Sequence, residues 1–109
     1  MPQTLIQLFG ARATRSGNII TINLADFAST GLNVALNPSP SKALAAYLKW
    51  LRTSTKPMAE DATAGVVADS FDATRSFTTR NNVAQIQNPI TFNIFTPDTT
   101  REFDPDAVY

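Results

Sequence analysis

Two alternating runs meet in phase at Asn81-Asn82, and this agreement constrains the chain more than any other feature. With Arg80 facing Val83 across a two-residue turn, Thr79 falls opposite Ala84, Phe77 opposite Ile86, Ala73 opposite Ile90 and Phe71 opposite Phe92. Those residues and Ile94 make one apolar face. Asp72, Thr74, Ser76, Thr78, Gln85, Gln87, Thr91 and Asn93 make the other. A slip of one residue would turn every side chain to the opposite face, so two runs that agree set the register as well as the strand type. Asn-Asn also suits the positive φ angles of a tight hairpin turn. Phe71 to Phe95 is therefore expected to be one long antiparallel hairpin. Pro89 removes a ladder donor, which predicts an edge or a bulge at that point.

A second hairpin is expected from Thr4 to Ala25 around Ser16-Gly17. With Arg15 facing Asn18, Ala13 pairs with Ile20, Ala11 with Ile22 and Phe9 with Leu24. Gly10 within this strand points to a bulge or a close backbone approach. The segments 18–24 and 88–94 echo each other at an offset of 70. Half-buried strands alternate in this way without any duplication, so the echo says only that both hairpins offer apolar faces to one core.

Between the hairpins, Asp26 to Pro38 is turn-rich, with a short strand expected over Leu32, Val34 and Leu36. The only convincing helix follows, with Ser39 or Ser41 as its cap and Pro40 suited to its first position. Leu44, Tyr47, Leu48 and Leu51 form a stripe at i, i+3, i+4, i+7. Lys42, Lys49 and Arg52 lie opposite, with Trp50 on the flank. The helix is expected to lie across the apolar face of the sheet. The polar residues 54–64 lack periodicity and read as a mobile loop, at the long end for a compact domain. Residues 97–109 read as an acidic tail in which Phe103, Val108 and Tyr109 are apolar anchors, suited to packing on the same chain or a neighbour.

At 109 residues the chain is one domain, expected to bury roughly two-thirds of its unfolded surface. It contains no cysteine and no histidine, which removes disulfide and thiolate chemistry together with the commonest general base and zinc ligand. Asp104-Pro105-Asp106 has the Asp-x-Asp spacing of some oxygen-ligated cation sites, yet proline extends the backbone and no third ligand has a defined spacing. There is no glycine-rich phosphate loop and no nucleophile motif. The expectation is a non-enzyme without cofactor, metal or small-molecule substrate. The N-terminal stretch lacks a basic region before its apolar residues and is too short for a membrane span, so a cytoplasmic place is the default, with a virion or another assembly as the alternative.

Charge is neutral overall and unevenly spread. Residues 1–57 carry six basic residues against one acidic, a net +5, and residues 58–109 carry three against eight, a net −5. Such poles can pair within one molecule, pair head to tail between copies, or simply lie solvated, since exposed pairs contribute little. The fold class read from the sequence is α+β, a mostly antiparallel sheet from two hairpins with one amphipathic helix on its apolar face. The function read from it is a structural protein that self-associates through Thr91, Asn93, Phe95, Phe103, Val108 and Tyr109. The alternative is a nucleic-acid module in which Lys42, Lys49 and Arg52 meet phosphates beside Trp50.

Overall fold

The computed structural model describes residues 3–69, 75–97 and 102–109. The expected positions of Phe71, Asp72, Ala73, Thr74 and Asp98 lie outside them. The chain is α+β, with antiparallel strands and one long helix packed on them. Among the described residues the order is α1 (Leu5–Phe9), β1 (Thr14–Ser16), β2 (Ile19–Thr21), α2 (Pro40–Thr55), β3 (Val66–Ala68), β4 (Ser76–Arg80), β5 (Val83–Gln87) and β6 (Phe92–Ile94). The strands pair as β1–β2, β3–β6 and β4–β5, each an antiparallel two-stranded ladder. No helix among the described residues is long and apolar enough to cross a membrane.

The helix α2 begins where its sequence places it. The Ser39 hydroxyl accepts a hydrogen bond from the Lys42 N–H, and Pro40 occupies the first turn, where its missing N–H leaves nothing unpaired. Its buried face keeps most of the expected stripe, with Leu51 buried and Tyr47 and Leu48 half-buried, and Thr55 extends it by one turn. Leu44 departs from it at 57% exposed, and the face widens to bury Ala46. The widening has a partner: a 3-10 helix, Leu24–Thr30, lies against α2 and brings Phe27 against Tyr47 and Trp50, with ring centroids 5.4 and 5.2 Å away. Phe9 stacks on Tyr47 at 6.1 Å. Aromatic contacts add to the aliphatic spacing on this face.

The N-terminal segment departs from the strand expected of it. Thr4 and Gln7 form a reciprocal capping box, the Gln7 N–H donating to Thr4 Oγ1 at 3.2 Å and the Thr4 N–H to Gln7 Oε1 at 2.8 Å. A short helix therefore replaces the strand over residues 5–9. Gly10 ends it at φ 110°, and a Cβ there would stand 2.8 Å from Asp26 Oδ2. The expected close approach at Gly10 is thus real, although it comes from a carboxylate. The hairpin that remains pairs Ser16 with Ile19 and Arg15 with Ile20, so each partner lies two residues from the expected register and the turn moves by one residue. Its turn is Gly17-Asn18, with Gly17 at φ 59°, because a II′ turn needs glycine at its first central position.

Two further segments differ. Over 32–36 the expected strand is a 3-10 turn, Val34–Leu36, since Asn33 Oδ1 accepts from the Ala35 N–H and Asn37 takes φ 51°. Within residues 54–64, α2 runs on through Thr55 and a 3-10 turn covers Lys56–Met58. Thr55 is fully buried. Its hydroxyl donates to the Leu51 carbonyl at 2.9 Å and accepts from the Ala68 N–H at 2.9 Å, so one side chain joins α2 to β3.

The hairpin β4–β5 has the expected register at every described pair, from Arg80–Val83 to Ser76–Gln87. Asn81 and Asn82 have φ 50° and 63°, as a I′ turn requires. Beyond Gln87 the ladder breaks. The strand β6 pairs with β3, Ala68 opposite Phe92 and Val66 opposite Ile94, a register three residues away from that of β4–β5. Pro89 lies in the break, consistent with its lost donor.

Candidate functional site

Surface distribution is the first notable property of the molecule. A compact 11.8 kDa monomer should expose about 5,900 Å². This chain exposes 8236 Å². Against an unfolded surface of roughly 17,000 Å², about half is buried, short of the two-thirds expected from length. Its radius of gyration, 16.0 Å, likewise exceeds the roughly 13 Å of a compact domain this size.

The hairpin β4–β5 is one open part of this surface. Apart from each other, these strands make no substantial contact with another element among the described residues. The apolar pair Phe77–Ile86, expected to face a core, is 89% and 47% exposed. No element covers that face, because α2 packs instead on β3, α1 and the 3-10 helix Leu24–Thr30. The opposite, polar face is better shielded: Arg80 Nε donates to Gln85 Oε1, and Thr78 and Gln85 are half-buried. The hairpin thus projects with its apolar side open.

A second surface forms at the C-terminus. The Phe95 N–H donates to the Gly65 carbonyl at 2.8 Å, and the Tyr109 N–H donates to the Phe95 carbonyl at 3.2 Å. A Cβ on Gly65 would overlap the Tyr109 carbonyl and stand 2.7 Å from Val108 Cγ1. The last residues of the tail therefore sit on their own chain, as their apolar character suggests. Phe95, Val108 and Tyr109 come together here, beside a groove of about 300 Å³ that Glu60 and Asp61 also line. Hydrogen bonds from the Thr63 hydroxyl and backbone N–H hold the Asp61 carboxyl below its ordinary value. Asn93, opposite Val67, and Thr91, whose carbonyl accepts from the Asp69 N–H, are exposed on the same strand. Phe103 is not part of this cluster and is 64% exposed. Asp104 Oδ1 caps the turn Pro105–Ala107 by accepting from the Asp106 N–H at 3.0 Å, so one of the two carboxylates is engaged locally.

The basic residues of α2 separate into two places. Lys42 and Lys49, on the same side of α2, line an open groove of about 450 Å³ together with Leu32, Leu36, Pro38 and Ala46. Lys49 Nζ is fixed there by donating to the Thr30 carbonyl at 2.8 Å. Arg52 lies elsewhere, beside Lys56 and Pro57. Trp50 packs against Phe27 and Tyr47 and also lines an open groove with Lys49, Thr53 and Ser54. The groove beside Lys42 and Lys49 was not visible in the sequence, because its wall opposite α2 comes from residues 30–39, where a strand is expected over 32–36. The chain matches no protein-family model, no curated protein and no solved structure.

Proposed function

We propose that the chain is a non-catalytic structural protein that acts by self-association, with the hairpin β4–β5 as its principal contact arm. The observation that carries this reading is the uncovered Phe77–Ile86 face on a hairpin that no other element supports. A lone two-stranded hairpin is marginal in water, and apolar side chains held open on it gain most when a second sheet face covers them. A second copy can stack the same face on its own, since a two-fold contact needs only one self-complementary patch. The contact thus shifts from the polar strand face to the apolar one, while Thr91, Asn93 and Phe95 lie on a strand whose backbone is partly engaged by the tail.

Sedimentation of the full chain over a wide concentration range tests this. Association is expected, with Phe77→Asp lowering the sedimenting mass to that of a monomer while the far-ultraviolet spectrum stays unchanged. A wild-type chain that remains monomeric at the highest concentration reached would overturn the reading.

A further inference from the structure

We propose that the groove between α2 and residues 31–39 receives the tail segment Glu102-Phe103-Asp104 of a second copy, a contact that rests on the self-association reading above. The groove is lined by the apolar residues Leu32, Leu36, Pro38 and Ala46 and by Lys42 and Lys49, which stand two turns apart on α2. Its volume, about 450 Å³, falls in the ordinary range for sites that hold a compact group, about 300–1,000 Å³. A ligand that fits this chemistry has one large apolar group between two negative charges. Glu102-Phe103-Asp104 is that pattern within three residues.

Three observations favour a second copy as the source of this segment. Phe103 is 64% exposed, so it does not occupy the groove of its own chain. The tail beyond it is held by Gly65 and Phe95, which presents Phe103 outward near a fixed end. Among the described residues, neither lysine and none of Glu102, Asp104 and Asp106 forms an ion pair. The positive pole of one copy and the negative pole of the next are therefore both available. Lys49 is already positioned by Thr30 and has two further N–H donors for a carboxylate. Opposite charges in this arrangement select partner and register more than they add affinity; the phenyl ring against the apolar lining supplies the burial. Tail-in-groove docking is heterologous, so together with the hairpin contact it would extend an assembly beyond a dimer.

A charge swap on the full chain tests the contact. One variant carries Lys42→Glu and Lys49→Glu, and the other carries Glu102→Lys and Asp104→Lys. Each alone places like charges at the contact, and about tenfold weaker association than wild type is expected. An equimolar mixture restores opposite charges in both directions, and its sedimenting mass should return to the wild-type value. Phe103→Ala, at an exposed position, should weaken association similarly without disturbing the fold. If wild type associates and Phe77→Asp abolishes it, but the swap variants and Phe103→Ala match wild type, this contact is wrong and the hairpin reading stands. If wild type is monomeric, both fall. Retention on an immobilised single-stranded oligonucleotide that Lys42→Glu/Lys49→Glu removes, with association unchanged, would also overturn the proposal and assign the groove to phosphates.

Discussion

Two regions of this molecule obey different rules. Around α2, a few side chains with defined partners hold dissimilar elements together: Thr55 joins helix to strand, Tyr47 Oη donates to the Leu8 carbonyl at 2.7 Å, and Ser54 Oγ donates to the Gln7 carbonyl at 2.8 Å. In β4–β5, register and turn geometry are well specified, yet the apolar pair Phe77–Ile86 stays exposed and no other element among the described residues makes substantial contact with the hairpin. Local specification and tertiary burial are separable. A strand pair can be defined fully by its own sequence without its apolar face being buried.

The comparison breaks most easily at Thr55. Valine has nearly the same shape, so Thr55→Val leaves packing intact while it removes the donor to Leu51 and the acceptor for Ala68. An unpaired, buried Ala68 N–H costs about 1–3 kcal/mol, and losing two bonds at one buried point should fall near 2–3 kcal/mol. For a chain of this size the melting temperature should drop by roughly 10 °C. Thr79→Val on the exposed hairpin is the matched control and should stay within about 0.5 kcal/mol. Equal effects at the two positions would mean that the hairpin is as integrated as the core.

Tyr47 offers a smaller effect with a pH signature. Burial pushes its phenol above the ordinary value of 10.0. The folded state then keeps its proton at a pH where the unfolded chain has lost it. This contribution is fully present below pH 10.0 and is lost as pH rises from there through the raised folded value. Tyr47→Phe should cost about 1 kcal/mol near neutrality through the lost bond to Leu8. It should also flatten the alkaline limb of a pH–stability profile. A variant with the wild-type alkaline limb would place the titration elsewhere.

These differences mirror what was legible in the sequence. The register of β4–β5 could be read because period-two alternation and an Asn-Asn turn are local signals. The start of α2 could be read from Ser39 and Pro40 for the same reason. Thr4-x-x-Gln7 was an available signal for α1, hidden by the apolar alternation of the residues that follow, which fits a strand equally well. The turn at Gly17-Asn18 was likewise available, since glycine belongs at the first II′ position. The stripe of α2 was legible through Tyr47, Leu48 and Leu51; its widening toward Ala46 and Trp50 was not, because it depends on Phe27 arriving from a segment with no periodicity. Nor was the role of Thr55, whose partner is 13 residues away, or the groove beside Lys42 and Lys49. Alternation shows that a face is apolar; it carries no information about whether the same chain covers it.

The smallest expected effect sharpens the comparison furthest. Asn82 has φ 63°, and glycine reaches that region without a Cβ penalty, so Asn82→Gly should stabilise the hairpin itself by a few tenths of a kcal/mol, roughly 0.3–0.5. In a domain that unfolds as one unit, a gain of this kind would spread to every amide. Among the described residues the hairpin makes no substantial contact with any other element, so the gain should remain local. Hydrogen exchange reads this directly: the amides of Thr78, Arg80, Val83 and Gln85, which lie in the hydrogen-bonded pairs of the ladder, should slow about twofold, while those of Leu51, Thr55 and Ala68 should not change. Slowing in both sets would show that the arm and the core open together. The exposed Phe77 face would then need an explanation inside the chain rather than on a second copy.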